Sequence, residues 1–183
     1  MSASYRPMCT DEVDAVPLKT LRLALEPLTA AHAEEMAPVL ADRSLYAFTG
    51  GEPPTLDELR ERYARQETQR SPDGVERWLN WILRVREDGL AAGFVQTTVS
   101  DDHGPITAVL AWVLGARFQG LGYAREAAAA VVGYLEDAGV RRFVAYIHPE
   151  HRASMAVARA LGLEPTGERV DGEVVWERIT GSA

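Results

Sequence analysis

The sequence predicts a mixed α/β domain, one sheet of about seven strands flanked by about four helices. The first observation behind this is the order of apolar patterns: strand, two helices, three strands, helix, strand, helix, two strands. The second is an apolar run, Ala108 to Leu114, that leads through a glycine turn into an alanine-rich helical pattern over Ala124 to Ala138. The third is composition, since 183 residues with 46% hydrophobic and 25% charged side chains suit a single globular domain with a sizeable core.

Residues 1–17 mix serine, proline and acids and read as a loose tail, so the folded domain is expected over 18–183. Leu21, Leu23 and Leu25 alternate with Arg22 and Ala24, a strand closed by Pro27. Thr29 then caps a helix running to about Ala41. Thr55-Leu56-Asp57-Glu58 is a capping box, in which hydroxyl and carboxylate each satisfy the other residue's backbone N–H, and it opens a charged helix to about Gln69. Between these helices, Leu45 to Pro54 contains Gly50-Gly51 and Pro53-Pro54 and is a candidate mobile loop.

Leu79, Trp81, Leu83 and Val85 alternate with Asn80, Ile82, Arg84 and Arg86, giving a second strand with Trp78 and Trp81 on opposite faces. Glu87-Asp88-Gly89 is a turn into a third strand over Gly93 to Val99, and Ile106 to Leu114 is the fourth. The helix at 124–138 ends near Gly139, and Phe143 to Ile147 is the fifth strand. Glu150 to Leu161 is a helix stopped by Gly162, and the last two strands flank Asp171-Gly172, a strong hairpin signal.

Arg117 to Ala127 is the most informative stretch. Gly120 and Gly122 let the backbone turn tightly and let a ligand approach where a Cβ would stand. The N–H groups of the following first helical turn have no internal partners and favour phosphate. A plain β–α loop fits the same residues. A Walker loop does not, because the chain has no Gly-Lys-Ser/Thr. A Rossmann loop lacks its third small residue, where Arg125 stands, and its ribose-binding acid, where Arg141-Arg142-Phe143 stands.

Gln119-Gly120-Leu121-Gly122-Tyr123-Ala124 matches Q/R-x-x-G-x-G/A, and here the chain resembles the GNAT N-acetyltransferase superfamily, whose acyl-CoA pyrophosphate loop has this form. The likeness continues through Arg142 to Ile147 and His148-Pro149-Glu150-His151-Arg152-Ala153-Ser154, and ends with Val157 to Glu168. That ending, and the opening Leu21 to Thr29, are similar to the branch that acetylates N-termini of ribosomal proteins. The resemblance covers roughly residues 18 to 179. It implies the GNAT fold, a mostly antiparallel sheet with a splay between the fourth and fifth strands. It also implies acetyl-CoA as acyl donor and transfer of the acetyl group to a primary amine by direct attack in a ternary complex. A GNAT-like module that binds CoA as a sensor or partner without catalysis is the alternative.

By the same resemblance, backbone groups near Trp112, Val113 and Leu114 hold the pantetheine arm and thioester carbonyl. Gln119, Gly120, Leu121, Gly122, Tyr123, Ala124 and Arg125 hold the pyrophosphate. His151 replaces the motif asparagine and is a further candidate cofactor contact. The tyrosine that protonates the thiolate in many relatives is absent, its place taken by Ala158, and Ser154 matches the serine given that task in the N-terminal-acetylating branch. Helix capping is the competing role for Ser154. The usual glutamate base of the fourth strand is replaced by Val109, which leaves Glu34, Glu35, Asp42, Tyr46 and His148 as candidates. Trp112 is also a candidate for lining the acceptor pocket, and the resemblance implies that the Leu45 to Pro54 segment shapes the acceptor site.

The net charge of −8 argues against bulk nucleic-acid binding. Residues 115–162 carry six arginines against four acids, and removing that +2 leaves −10 for the rest. A locally positive segment suits an anionic cofactor, and an acidic remainder suits a cationic amine acceptor. No apolar run approaches the ~20 residues of a membrane span, and no signal peptide is read in the N-terminal residues. With Cys9 the sole cysteine, no disulfide and no cysteine-built metal site is expected, and a cytoplasmic location is favoured. No metal is expected at the site, and a homodimer is compatible with the sequence.

Overall fold

The computed structural model describes residues 13–101 and 104–181. Its strands are β1 (Leu18–Lys19), β2 (Leu23–Pro27), β3 (Arg77–Val85), β4 (Ala91–Ser100), β5 (Thr107–Leu114), β6 (Arg142–Ile147), β7 (Glu164–Val170) and β8 (Glu173–Ile179). Its α-helices are α1 (Ala33–Val39), α2 (Leu56–Gln66), α3 (Tyr123–Asp137) and α4 (Arg152–Ala160). The strands form one sheet in the order β1-β2-β3-β4-β5-β6-β8-β7. Every neighbouring pair is antiparallel except β5 and β6. The seven expected strands are present, and the eighth is the two-residue β1, too short to carry an alternation. The fourth and fifth strands of the sequence pattern are therefore β5 and β6.

Two layers of side chains cover the sheet. On one face α3 buries Ala127, Ala128, Val131, Val132 and Leu135 against strand residues that include Leu25, Trp81, Val95 and Phe143. Each large apolar side chain withdrawn from water there contributes roughly 1.5–3 kcal/mol. On the other face α1 and α2 bury Met36, Leu59 and Tyr63 against Ile82 and Ala91. Alternation places the two tryptophans of β3 on these opposite faces. Trp81 is fully buried in the larger core, whereas Trp78 is half-buried and donates through Nε1 to Glu76 at 2.9 Å, away from the cleft described below.

The helix expected from Thr29 to Ala41 begins as a 3₁₀ turn, Ala30–His32, and α1 stops at Val39. The Thr55–Glu58 capping box is present, and α2 ends at Gln66, with Gln69 reversing the chain at φ 57°. Residues 13–17 were expected in the loose tail but are packed. Val13 and Ala15 lie in the larger core, Trp81 Nε1 donates to the Val16 carbonyl at 2.7 Å, and Tyr134 donates to the Asp14 carbonyl at 2.6 Å. The rest of the expected tail, 1–12, lies outside the described residues.

The feature that positions the site is where β5 and β6 part. They pair at Thr107–Arg142, Ala108–Phe143 and Val109–Val144, and no further. Beyond Val109 the β5 edge facing β6 has no strand partner, although β5 stays paired to β4 up to Leu114. A parallel pair that diverges leaves a wedge open at the carboxyl ends of its strands. The glycine turn and α3 follow β5 there, and α4 follows β6.

Candidate active site

The loop between β5 and α3 is built by its glycines. Gly120 (φ 75°) and Gly122 (φ 80°) take left-handed backbone that costs an L-residue roughly 1–2 kcal/mol. Among the described residues, no backbone N–H from Gly120 to Arg125 donates to another protein group. These donors open onto the wedge at the positive end of a 15-residue helix.

A support for this loop was not visible in the sequence. Arg22, in the turn between β1 and β2, donates through Nη1 to the Leu121 carbonyl at 2.8 Å and through Nε to Glu126 at 2.7 Å. Glu126 also accepts from the Thr20 hydroxyl at 2.6 Å and the Arg22 backbone at 2.8 Å. Burial works to raise the Glu126 pKa, but the Thr20 and Arg22 hydrogen bonds prevail and hold it below the usual range. A Cβ at Gly122 would meet Arg22 Nη2 at 3.4 Å, whereas one at Gly120 would meet nothing within 4 Å. The need for glycine at 122 is thus its left-handed backbone, since a Cβ there would sit at ordinary contact distance from Arg22 and fill no cradle.

The wedge holds a cleft of about 590 Å³. Trp112, Val113 and Leu114 line it from β5, and Gln119, Gly120, Gly122, Ala124 and Arg125 from the loop and α3. His151 and Ser154 line it from α4. Leu121 and Tyr123 do not: Leu121 points to solvent, and the Tyr123 ring lies 4.8 Å under the Arg22 guanidinium. The backbone N–H groups of those two residues have no partner among the described residues. Trp112 packs partly against the larger core, so it stands on the α3 side of the wedge.

His151 is the N-cap of α4, its Nδ1 accepting from the Ser154 N–H at 3.4 Å. It thus takes over the capping that an asparagine performs. Burial lowers its pKa, a shift its own backbone opposes and the charge of His148 reinforces. A cap that accepts at Nδ1 requires the neutral ring. The cap is therefore expected to be intact above the unfolded histidine value of about 6.5 and lost as pH falls through the lower folded value. His151→Asn should keep the stability and remove this acid dependence, while His151→Ala should cost about 1 kcal/mol, as read from melting temperature against pH. Ser154 itself is the third residue of α4 and not its cap, and its hydroxyl has no partner among the described residues.

Of the five candidate bases, only His148 lines the cleft. Glu34 pairs with Arg60 at 2.9 Å, and the Tyr46 hydroxyl donates to the Leu40 carbonyl at 3.0 Å. Asp42 caps the Arg43–Tyr46 turn, and Glu35 pairs with Arg84; both face a separate cleft of about 430 Å³. His148 Nδ1 already accepts from the Glu150 N–H at 3.2 Å. Both cleft imidazoles therefore present an Nε2–H in their neutral form, and neither presents a lone pair. Val109, at the point of the splay, is a hydrocarbon.

The sequence reading missed Glu173. It is the only carboxylate lining the cleft among the described residues, it is half-buried, and it has no partner. It lies one step beyond the last β6–β8 pair, Ile147–Val174, and so opposite His148. The signal was present in the Asp171-Gly172 hairpin, but only the β6–β8 register brings its first strand residue to the end of β6. Phe48 lies within the Leu45 to Pro54 segment expected at the acceptor site but was not singled out there. Its ring stacks on His151 at 4.5 Å and 29° and lies 5.2 Å from His148. Leu45 to Pro54, expected as a loop, is thereby seated on the cleft through the Arg43–Tyr46 turn and Phe48.

One group among the described residues has metal-ligand spacing, Glu26, His32 and Glu35, with ligand atoms within 4.8 Å of one another. Arg84 donates to both carboxylates at 2.8–3.0 Å, and this pairing lowers the Glu26 pKa and accounts for the cluster without an ion. Among the described residues no helix is long and apolar enough to cross a membrane.

A splayed parallel strand pair with a glycine-led helix start in the wedge defines the acyl-CoA acetyltransferase class. The chain belongs to the GNAT acetyltransferase family, whose domain model, "Acetyltransferase (GNAT) domain", matches residues 22–164. The fold is shared with the ribosomal-protein-S5-alanine acetyltransferase of Vibrio fischeri, at TM-score 0.74 and 14% identity over 91% of this chain and 98% of that one. It is also similar to an acetyltransferase of Agrobacterium tumefaciens, at TM-score 0.66 and 27% identity over 91% and 95%. A microcin C7 self-immunity acetyltransferase, solved with acetyl-CoA and AMP, superposes at TM-score 0.71 and 18% identity over 87% and 93%. No curated protein sequence matches the chain.

Proposed function

We propose that this protein transfers the acetyl group of acetyl-CoA to a primary amine by direct attack in a ternary complex. The observation that carries the reading is the row of unpartnered N–H groups from Gly120 to Arg125 opening onto the unpaired edge of β5. The pyrophosphate sits on those donors with the Arg125 side chain beside it. The pantetheine arm extends along Leu110 to Leu114, where β5 backbone groups near Trp112 to Leu114 polarise the thioester carbonyl. The solved complex of the microcin self-immunity enzyme with acetyl-CoA supports this donor.

The acceptor arrives as an ammonium and gives one proton to Glu173, the cleft group with open lone pairs, directly or through a water. The neutral nitrogen attacks the thioester carbon, and the carbonyl becomes a tetrahedral oxyanion. As that collapses, the C–S bond breaks and the Ser154 hydroxyl protonates the departing thiolate while regaining the second nitrogen proton. The products are the amide and the CoA thiol, and Glu173 returns its proton to solvent. Initial rates at varied acetyl-CoA and amine test the ternary route, which predicts intersecting double-reciprocal lines. Parallel lines, with an acetylated protein isolated in the absence of amine, would contradict it.

Ser154→Ala is expected to lower turnover by less than the 10²–10⁴-fold typical of general acids, because a thiolate leaves fairly well unaided. With the cap held by His151, melting temperature and acetyl-CoA affinity should stay unchanged. A lowered melting temperature with an unchanged rate would retire Ser154 from the chemistry.

A further inference from the structure

The acceptor half of the cleft carries more information than the presence of an amine. Among the described residues it holds a single carboxylate, Glu173, and a single arginine, Arg125, on the glycine loop side. The surrounding walls are mainly apolar, broken by hydroxyls such as those of Ser44, Thr49 and Ser154 and by the two imidazoles. Strand alternation puts Ala111 and Tyr146 on the face away from the larger core, and Phe48 closes over His148 and His151 from the other chain segment. Phe48 remains 37% exposed and Tyr146 42%, so two aromatic surfaces stand partly bare in the cleft that holds the carboxylate. Burying one ammonium against one carboxylate is balanced. Burying two or more leaves charge against hydrocarbon without a partner, at considerable cost.

We propose that the acceptor is a primary amine with one positive charge and an apolar, ring-sized substituent, its ammonium at Glu173 and the substituent against Phe48. This rests on the N-acetyltransferase reading above. It disfavours polycations such as polyamines and aminoglycosides, whose further ammonium groups find no second carboxylate among the described residues of the cleft. An arylalkylamine and a peptide with an aromatic N-terminal residue both present the required chemistry.

The test is kcat/KM at saturating acetyl-CoA for phenethylamine, ethylamine, spermidine, kanamycin and a phenylalanyl peptide amide. The ring-bearing monocations should exceed ethylamine, spermidine and kanamycin by about 10–200-fold, the range a well-fitted apolar group supplies. Preference between phenethylamine and the peptide identifies the source of the amine. Phe48→Ala should collapse the ratio of phenethylamine to ethylamine, with the KM for acetyl-CoA unchanged. Phe48→Leu, which keeps an apolar side chain but no ring, serves if the alanine variant does not fold. Spermidine or kanamycin as the best acceptor overturns the proposal, and so does an unchanged ratio in the Phe48 variants. If acetyl-CoA binds but none of the amines is acetylated, the N-acetyltransferase reading fails and this inference falls with it.

Discussion

Glu173→Gln is expected to lower kcat with strongly basic primary amines by about 10²–10⁴-fold, the usual contribution of a positioned proton acceptor. Acetyl-CoA binding should be unchanged, because Glu173 stands beside His148 rather than on the glycine loop. The amide keeps the shape and hydrogen-bonding reach of the carboxylate but can no longer take a proton. Residual activity should therefore climb with pH as the amine loses its proton in solution. A weakly basic acceptor such as hydroxylamine, already neutral at assay pH, should be largely spared. Equal losses for basic and weakly basic acceptors would point instead to a distorted cleft, and a full rate with both would remove Glu173 from the mechanism.

Gly122→Val is expected to abolish measurable acetyl-CoA binding in calorimetry. The position needs φ 80° at the start of α3, and a β-branched residue resists left-handed backbone. The added side chain also reaches the guanidinium of Arg22, whose Nη1 anchors the loop through the Leu121 carbonyl. Either adjustment re-aims N–H groups that must converge on one pyrophosphate. The global cost should be small, roughly 1–2 kcal/mol, so the variant stays folded by melting temperature. Binding within a few-fold of wild type would show that the loop tolerates misalignment and that the cofactor is held elsewhere.

Local pattern carried most of the fold. The Thr55 capping box, the glycine turn after β5 and the Asp171-Gly172 hairpin each encode their geometry within a few residues, and each is found where the sequence placed it. The short β1 and the packing of Val13 and Ala15 were illegible because they depend on contacts with β2 and the larger core, not on any alternation of their own. In the site, the division is similar. The cofactor loop is a contiguous motif, whereas Arg22 and Glu126 stand 104 residues apart in sequence and meet only in the folded chain. Glu173 and Phe48 join the cleft from the last hairpin and from the segment before α2; the Leu45 to Pro54 segment was expected at the acceptor site by resemblance, but no local pattern singled out either residue. Four of the five candidate bases lie outside the cleft for the same reason, since Arg60, Arg84, Ser44 and the Leu40 carbonyl engage them elsewhere.

Amine-dependent release of CoA thiol from acetyl-CoA, measured together with the N-acetylated product, separates acetyl transfer from cofactor binding alone. Thiol and amide should appear in equal amounts, only when both substrates are present, and with a yield that depends on Glu173. Tight binding of acetyl-CoA with no thiol release for any primary amine would contradict acetyl transfer, and would mark the cleft as that of a cofactor-binding module without catalysis.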